Sequence, residues 1–395
     1  MFSSRVPHNL EQNRIARAVR RARAEDRALI DLTVTNPTSV GIAYPPGMLD
    51  ALASPDALRY EPAAFGLAPA RAAVCADYAR RGVAVDPANV VLTASTSEAY
   101  SLLFKLLCAP DGDAVLVPTP SYPLFDHLTA LDGVRALPYR LEFHGRWAIA
   151  LDDLDRAWTK TVRAVLAVSP NNPTGSILGV EELGALAARC AERRTALIVD
   201  EVFADYVLAP PGSHETATAG TLQAELPASC LTFRLGGLSK SAGLPQVKLG
   251  WIAASGPGGL MRDALARLEV ICDAYLSVAT PVQVAAPSLM AAGAGVRASI
   301  LERIRANYDA LVRQASAHPA LHVLPVDGGW SAVLRVPSTR SEEDLVLELL
   351  ERDAVLIHPG FFFDFPHEAF LVCSLLPEPR LFADGMRRLM ERVDA

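Results

Sequence analysis

Residues 163–203 read RAVLAVSPNNPTGSILGVEELGALAARCAERRTALIVDEVF. Two short runs, RAVLAVS and ALIVDEVF, flank a helical stretch, VEELGALAARCAER, and each run stays apolar almost to a polar residue at its end. That is the pattern of parallel strands covered on both faces. A strand, a helix and a strand in succession are the unit of a doubly wound α/β sheet. The alternation extends on both sides over residues 89–255: NVVLTA then SEAYSLLFKLL, DAVLVP then YPLFDHLTAL, GVRALPY, and later SCLTFRL and KLGWIAA. The last third changes character. SILERIRANYDALVRQASAH reads as a long helix, and SAVLRV, EEDLVLELLERD, AVLIHP and FLVCSLL suggest a smaller α/β lobe. We therefore expect a large domain over residues 46–287 and a small domain made of residues 1–45 and 288–395.

The whole-chain figures narrow the class. At 395 residues the chain has room for a large core with a second lobe beside it. A hydrophobic share of 51% with 21% charged residues is that of a globular protein, and a net charge of −7 leaves no basic footprint for nucleic acid. The longest apolar stretches look strand-length and interrupted, so no membrane span is expected. Cys75, Cys108, Cys190, Cys230, Cys272 and Cys373 never form a CxxC pair. They read as core residues in a reducing compartment, and a cytoplasmic location and no metal site are expected. The arginine-rich segment EQNRIARAVRRARAEDRALI carries Glu11, Glu25 and Asp26 and lacks an apolar core, so it reads as a surface helix and not as a transit peptide.

Four features fall at the strand ends of the large domain, where open α/β sheets place their ligands. TASTSEAY, residues 93–100, crosses from a strand into a helix. Its small hydroxyl residues suit a phosphate on free backbone N–H groups, or an ordinary cap closed by Glu98. SPNNPTG, residues 169–175, makes a tight turn and could also aim an asparagine amide into a cleft. Asp200 ends an apolar strand and needs a cationic or protonated partner, for which a pyridinium nitrogen or a nearby arginine would serve. Lys240 lies in FRLGGLSKSAGLPQVKLGWIAA on the short turn between two buried strands, where an apolar pocket would depress its pKa and allow a Schiff base with a carbonyl. GGLSKS lacks the GK[ST] ending of a nucleotide phosphate loop, and SGPGGLM places Met261 where a dinucleotide fingerprint needs glycine.

The order Tyr60, TASTSEAY, PSYPLF, SPNNPTG, DEVF, LSK and a lysine eight residues later resembles the class I/II aminotransferases of the pyridoxal phosphate fold-type I superfamily, the aspartate aminotransferase-like group. The resemblance covers residues 30–375 and implies a three-layer α/β sandwich with a mostly parallel central sheet plus a smaller α/β lobe. It implies that Lys240 holds pyridoxal 5'-phosphate as a Schiff base and shuttles the substrate proton. Asp200 would pair with the pyridine nitrogen, Asn172 would bond the ring oxygen, and Tyr122 would stack on the ring. Thr96, Ser97, Ser239 and Lys248 would hold the phosphate. Tyr60 would reach the phosphate of a neighbouring subunit, which implies a homodimer with shared active sites. Substrates would be an amino acid and a 2-oxo acid.

The departures from that pattern touch the cofactor at three positions and, at the largest of them, the substrate. Where relatives commonly carry tyrosine, serine and arginine, this chain has Phe203, Gly237 and Lys248, and a lysine keeps the charge without the bidentate fork. The arginine that usually clamps the substrate carboxylate aligns with Val372, and no Arg or Lys occurs from Gly360 to Glu378. Arg335 and His358 are candidates for another anchor. Phe361, Phe362, Phe363 and Phe365 could line a pocket or form a core cluster. The leading reading is an aminotransferase. A C–S or β-lyase, or a specialised-metabolism synthase of the same fold, is the alternative, and a non-enzymatic sensor of the fold usually carries an added DNA-binding domain.

Overall fold

A computed structural model describes residues 1–208, 229–276 and 278–395. Among these, the strands are β1 (Ile30–Asp31), β2 (Val90–Thr93), β3 (Ala114–Thr119), β4 (Arg135–Phe143), β5 (Trp147–Ile149), β6 (Val162–Val168), β7 (Ala196–Asp200), β8 (Thr232–Gly237), β9 (Gly250–Ser255), β10 (His322–Val323), β11 (Ser331–Arg335), β12 (Val355–Leu356), β13 (His358–Pro359) and β14 (Phe370–Ser374).

The large sheet runs β2-β9-β8-β7-β6-β3-β4-β5. The core β4-β3-β6-β7-β8 is parallel, while β9 and β5 are antiparallel additions. The mostly parallel α/β sheet expected from the sequence is present. Every residue of β7 and β8 is buried, because helices cover both faces. Side-chain alternation then assigns each residue to a layer. Leu197 and Val199 meet Leu183, Leu186 and Cys190 of helix Val180–Arg193, whereas Ala196 and Ile198 meet Ala99, Leu103 and Phe104 of helix Thr96–Leu107. Asp200 shares the parity of Ile198 and therefore faces the second helix. The chain builds outward from β3 to β4 and then from β6 to β8 on the other side. The ends of β3 and β6 thus flank the switch point where such sheets bind ligands.

The helix expected from Ser299 begins earlier, at Thr280, and runs unbroken to Ala315 past Pro287. It crosses the residues where a domain boundary was expected. By length and composition it could cross a membrane, which corrects the expectation that apolar stretches are only strand-length. In this fold it packs against helices Ala68–Arg80 and Pro379–Asp394, burying Leu289, Gly293, Val296, Ile300, Ile304, Asn307 and Leu311 at spacings of three and four. Gly293 permits a close crossing, since a Cβ there would stand 2.5 Å from the Ala242 side chain.

The small lobe is the sheet β10-β11-β14-β13, with β1 pairing in parallel to β12. Arg14 of the N-terminal helix bonds Glu343 at 2.8 Å, so the first segment rests on this lobe. Tyr44 ties the segment to the large sheet as well, its hydroxyl donating to the Gly243 carbonyl at 2.6 Å.

Candidate active site

Lys240 sits on a single helical turn, Leu238–Ser241, that follows β8 directly. Its backbone is held from three directions. The Tyr206 hydroxyl donates to the Lys240 carbonyl at 2.5 Å, the Arg297 guanidinium donates to the Ser241 carbonyl at 3.0 Å, and the Ser241 hydroxyl donates back to the Gly237 carbonyl at 3.0 Å. The amine lies 4.7 Å from the centre of the Trp330 ring and 5.4 Å from that of Phe203. Burial pushes its pKa down to about 8, against the pull of the Asp200 charge. At pH 7 about a tenth of the amine is then unprotonated, several hundred times the share an exposed lysine would have.

Asp200 closes β7 with two donors on its carboxylate. The Val202 N–H reaches Oδ1 at 3.1 Å and the Tyr100 hydroxyl reaches Oδ2 at 3.0 Å. Burial raises its pKa to about 6, and these two donors restrain the rise, so it is ionised at neutral pH. Arg234, one strand over, pairs with Glu201 at 3.5 Å. Tyr100 was not singled out from the sequence, although it is the last residue of TASTSEAY. The signal was available: Tyr100 stands within the first turns of a helix that the parity of Asp200 faces.

Both readings of TASTSEAY hold together. The Ser95 hydroxyl caps the helix by accepting from the Glu98 N–H at 3.1 Å, and the Glu98 carboxylate accepts from the Ala94 N–H. The N–H groups of Thr96 and Ser97 have no acceptor among the described residues. Strand β9 presses against this helix start at Gly250, where a Cβ would lie 3.0 Å from the Ser95 carbonyl carbon and 3.1 Å from the Thr96 nitrogen. Ser239 shares the Lys240 turn and is half-buried. Lys248 is exposed and has φ of 59°, and Tyr60 and Tyr122 are also exposed. No hydrogen bond or ring contact joins these three to Lys240 or Asp200 among the described residues. Tyr122 does line a cavity of about 590 Å³ at the end of β3, with Thr119, Arg140 and Asp364.

Asn171 and Asn172 divide the work of the SPNNPTG turn. The Asn171 carbonyl oxygen accepts from both the N–H and the hydroxyl of Thr174, which is turn chemistry. Asn172 faces the small lobe, where its Oδ1 accepts from the Ser331 hydroxyl at 3.4 Å.

The small lobe supplies an apolar wall. Val372 pairs with Val333 on one side and His358 on the other, and is buried with Phe363, Phe365, Phe370 and Trp147. The aromatic run GFFFDF therefore resolves in part into core: Phe363 and Phe365 are interior, Phe361 is exposed, and Phe362 packs beside His358. Burial holds His358 below the usual imidazole range, so at neutral pH it offers a hydrogen bond and no charge. Arg335 is exposed at the end of β11, opposite Phe370.

These residues fit pyridoxal phosphate. They provide a half-buried amine of depressed pKa, an ionised carboxylate beside it at a strand end, and two open N–H groups at a helix start where a phosphate is favoured.

The comparisons agree with that fit. A family described as aminotransferase class I and II matches residues 42–376. A glutamate-pyruvate aminotransferase of Haemophilus influenzae is 26% identical over 357 residues, covering 86% of this chain and 84% of the relative. An S-alkyl-thiohydroximate lyase of Arabidopsis thaliana is 28% identical over 247 residues, covering 62% of this chain and 51% of that protein. The solved alanine aminotransferase from Pyrococcus furiosus superposes with a TM-score of 0.84 at 22% identity over 96% of each chain.

Proposed function

The chain belongs to the class I and II aminotransferases, and on that premise we propose that it serves a small amino acid and 2-oxo acid pair of the alanine and pyruvate kind, anchored without an arginine at the usual position. It is a pyridoxal phosphate-dependent enzyme that moves an amino group between an amino acid and a 2-oxo acid. When bound, pyridoxal phosphate supplies a carbonyl that receives the amino group and a ring that withdraws electrons from the substrate α-carbon. The protein's own groups do the rest. The unprotonated share of Lys240 Nζ would attach the cofactor and, when free, would carry the substrate α-proton. Asp200 would hold a proton at the ring nitrogen. The Thr96 and Ser97 N–H groups, with Ser239 and Lys248, would take the phosphate, Asn172 the ring oxygen, and Tyr122 the ring face. Phe203 and Trp330 keep water from the amine.

The observation that carries the reading is the half-buried Lys240 amine of depressed pKa next to an ionised Asp200. For the carboxylate anchor, the support is the neutral pair Ser331 and Asn172 at 3.4 Å, on the same face of the small sheet as buried Val372. The small substrate rests on the names of relatives and on the Trp330 and Phe203 rings beside the amine. We extend the proposal to a cytoplasmic homodimer. Tyr60, 67% exposed in the single chain, is free to reach a second copy, and all six cysteines are unpaired.

The test is a half-reaction panel. Cofactor-loaded protein is mixed with single amino acids while the visible band of the bound cofactor is followed. Alanine or glutamate should convert the band to that of the amine form and release a 2-oxo acid. Release of pyruvate and ammonia without that conversion would favour the lyase reading, which the shorter match to a lyase keeps second.

A further inference from the structure

Tyr100 is a phenol buried to 2% exposure with its hydroxyl on Asp200, and the family pattern assigns it nothing. Its ring is clamped. It meets Phe125 edge-on at 5.3 Å and 80°, and Phe104 at 6.0 Å and 35°, so the hydroxyl has one direction in which to point. The carboxylate it meets is equally constrained. A carboxylate's own torsion is broad, yet here one oxygen accepts from the Val202 N–H and the other from the Tyr100 hydroxyl. Each oxygen keeps a second acceptor site. The same helix, Thr96–Leu107, also presents the open Thr96 and Ser97 N–H groups at its start.

We propose that Tyr100 is a positioning residue that acts through Asp200, fixing the carboxylate in one orientation and in its ionised form to receive the protonated ring nitrogen of pyridoxal phosphate. One helix thereby sets both ends of the cofactor, phosphate at its start and ring nitrogen one turn further in. The inference rests on the aminotransferase reading of the site. The groups that face Asp200 are Tyr100 from the helix, Glu201 next in the chain and Lys240 from the turn after β8, with Tyr139 behind Tyr100. Tyr100 is held well above the usual phenol range by burial, so it stays a donor throughout the neutral range.

The test is a double-mutant cycle on cofactor binding. Apoprotein is titrated with pyridoxal phosphate by tryptophan fluorescence between pH 5 and 9, which tests binding without turnover. Tyr100→Phe should bind roughly tenfold more weakly, the worth of one hydrogen bond to a charged group. Its affinity should also fail at a higher pH than the wild type on the acid side, because the carboxylate loses a donor that favours its ionised form. In an Asp200→Asn background, Tyr100→Phe should add no further loss. A merely structural role would lower the melting temperature of Tyr100→Phe and leave the acid limb unmoved; that result, or equal losses in both backgrounds, overturns the proposal. Failure of the wild type to bind pyridoxal phosphate would instead overturn the family reading, and this inference with it.

Discussion

The cleft has two sides built on opposite principles. The edge of the large sheet is polar and titratable: Asp200 and Tyr100 are buried with Lys240 half-buried beside them, each with a shifted pKa. The facing wall of the small sheet is apolar, with Val333, Val372 and Phe363 interior and His358 neutral beside them. The cofactor side has little freedom, since an amine that attacks a carbonyl and a carboxylate that holds a pyridinium proton are demanded by the same chemistry whatever the substrate. The small-lobe wall carries none of that chemistry and is free to change in sequence. The contrast explains how a chain can keep the lysine, the aspartate and the NPTG turn of the cofactor side and lose the carboxylate arginine.

The strongest way to break this comparison is Lys240→Ala. If the polar side does the chemistry, turnover should fall by about 10²–10⁴-fold or more, the range for loss of a proton-transfer group, with the attachment point lost as well. Borohydride reduction and peptide mapping check it: the wild type should carry the cofactor on the peptide containing Lys240 and the variant nowhere. A tag on another lysine removes the assignment. Next in size is Val372→Arg, which restores the residue found in relatives. In an apolar cluster with Phe363, Phe365 and Phe370 an unpaired guanidinium should cost several kcal/mol and lower the melting temperature without improving KM. If the variant stays as stable as the wild type and gains affinity for amino acids, the wall is open to substrate and the contrast is wrong.

How far the sequence revealed each side follows from the same difference. Lys240, Asp200 and the NPTG turn were legible because strand ends of a parallel sheet mark ligand positions and their residue types are chemically specific. Tyr100 was hidden, since a tyrosine inside a helix reads as core until the parity of β7 aims Asp200 at it. The start of the long helix at Thr280 was missed for a local reason: Pro287 and the stretch MAAGAG look like a linker, while in the fold Gly293 is what lets the helix approach Ala242. On the wall the aromatic run allowed both pocket and core. Only the register of β11, β13 and β14 separates interior Phe363 from exposed Phe361.

The smallest effect sharpens the comparison through pH. The folded Lys240 amine titrates near 8, against an ordinary value of 10.5, because burial disfavours its charge. Between those values the unfolded chain binds more protons at this lysine than the folded chain does. Stability of the apoprotein therefore gains from this residue as pH rises from 8 to 10.5, and the full penalty is present below 8. The expected contribution is on the order of 3 kcal/mol. Thiols act in the opposite sense over neighbouring pH values, since desolvation pushes Cys108, Cys272 and Cys373 each up to about 12. The measurement is thus a difference. Urea unfolding of wild type and of Lys240→Met is compared at pH 7.5, 9 and 10.5, and the stability advantage of the methionine variant should shrink as pH rises. Val372→Ala offers the control from the apolar wall, where the difference from wild type should stay constant over the same range. If the Lys240→Met difference is equally flat, the amine is as well solvated as a surface lysine, and the two sides of the cleft differ less than their residues suggest.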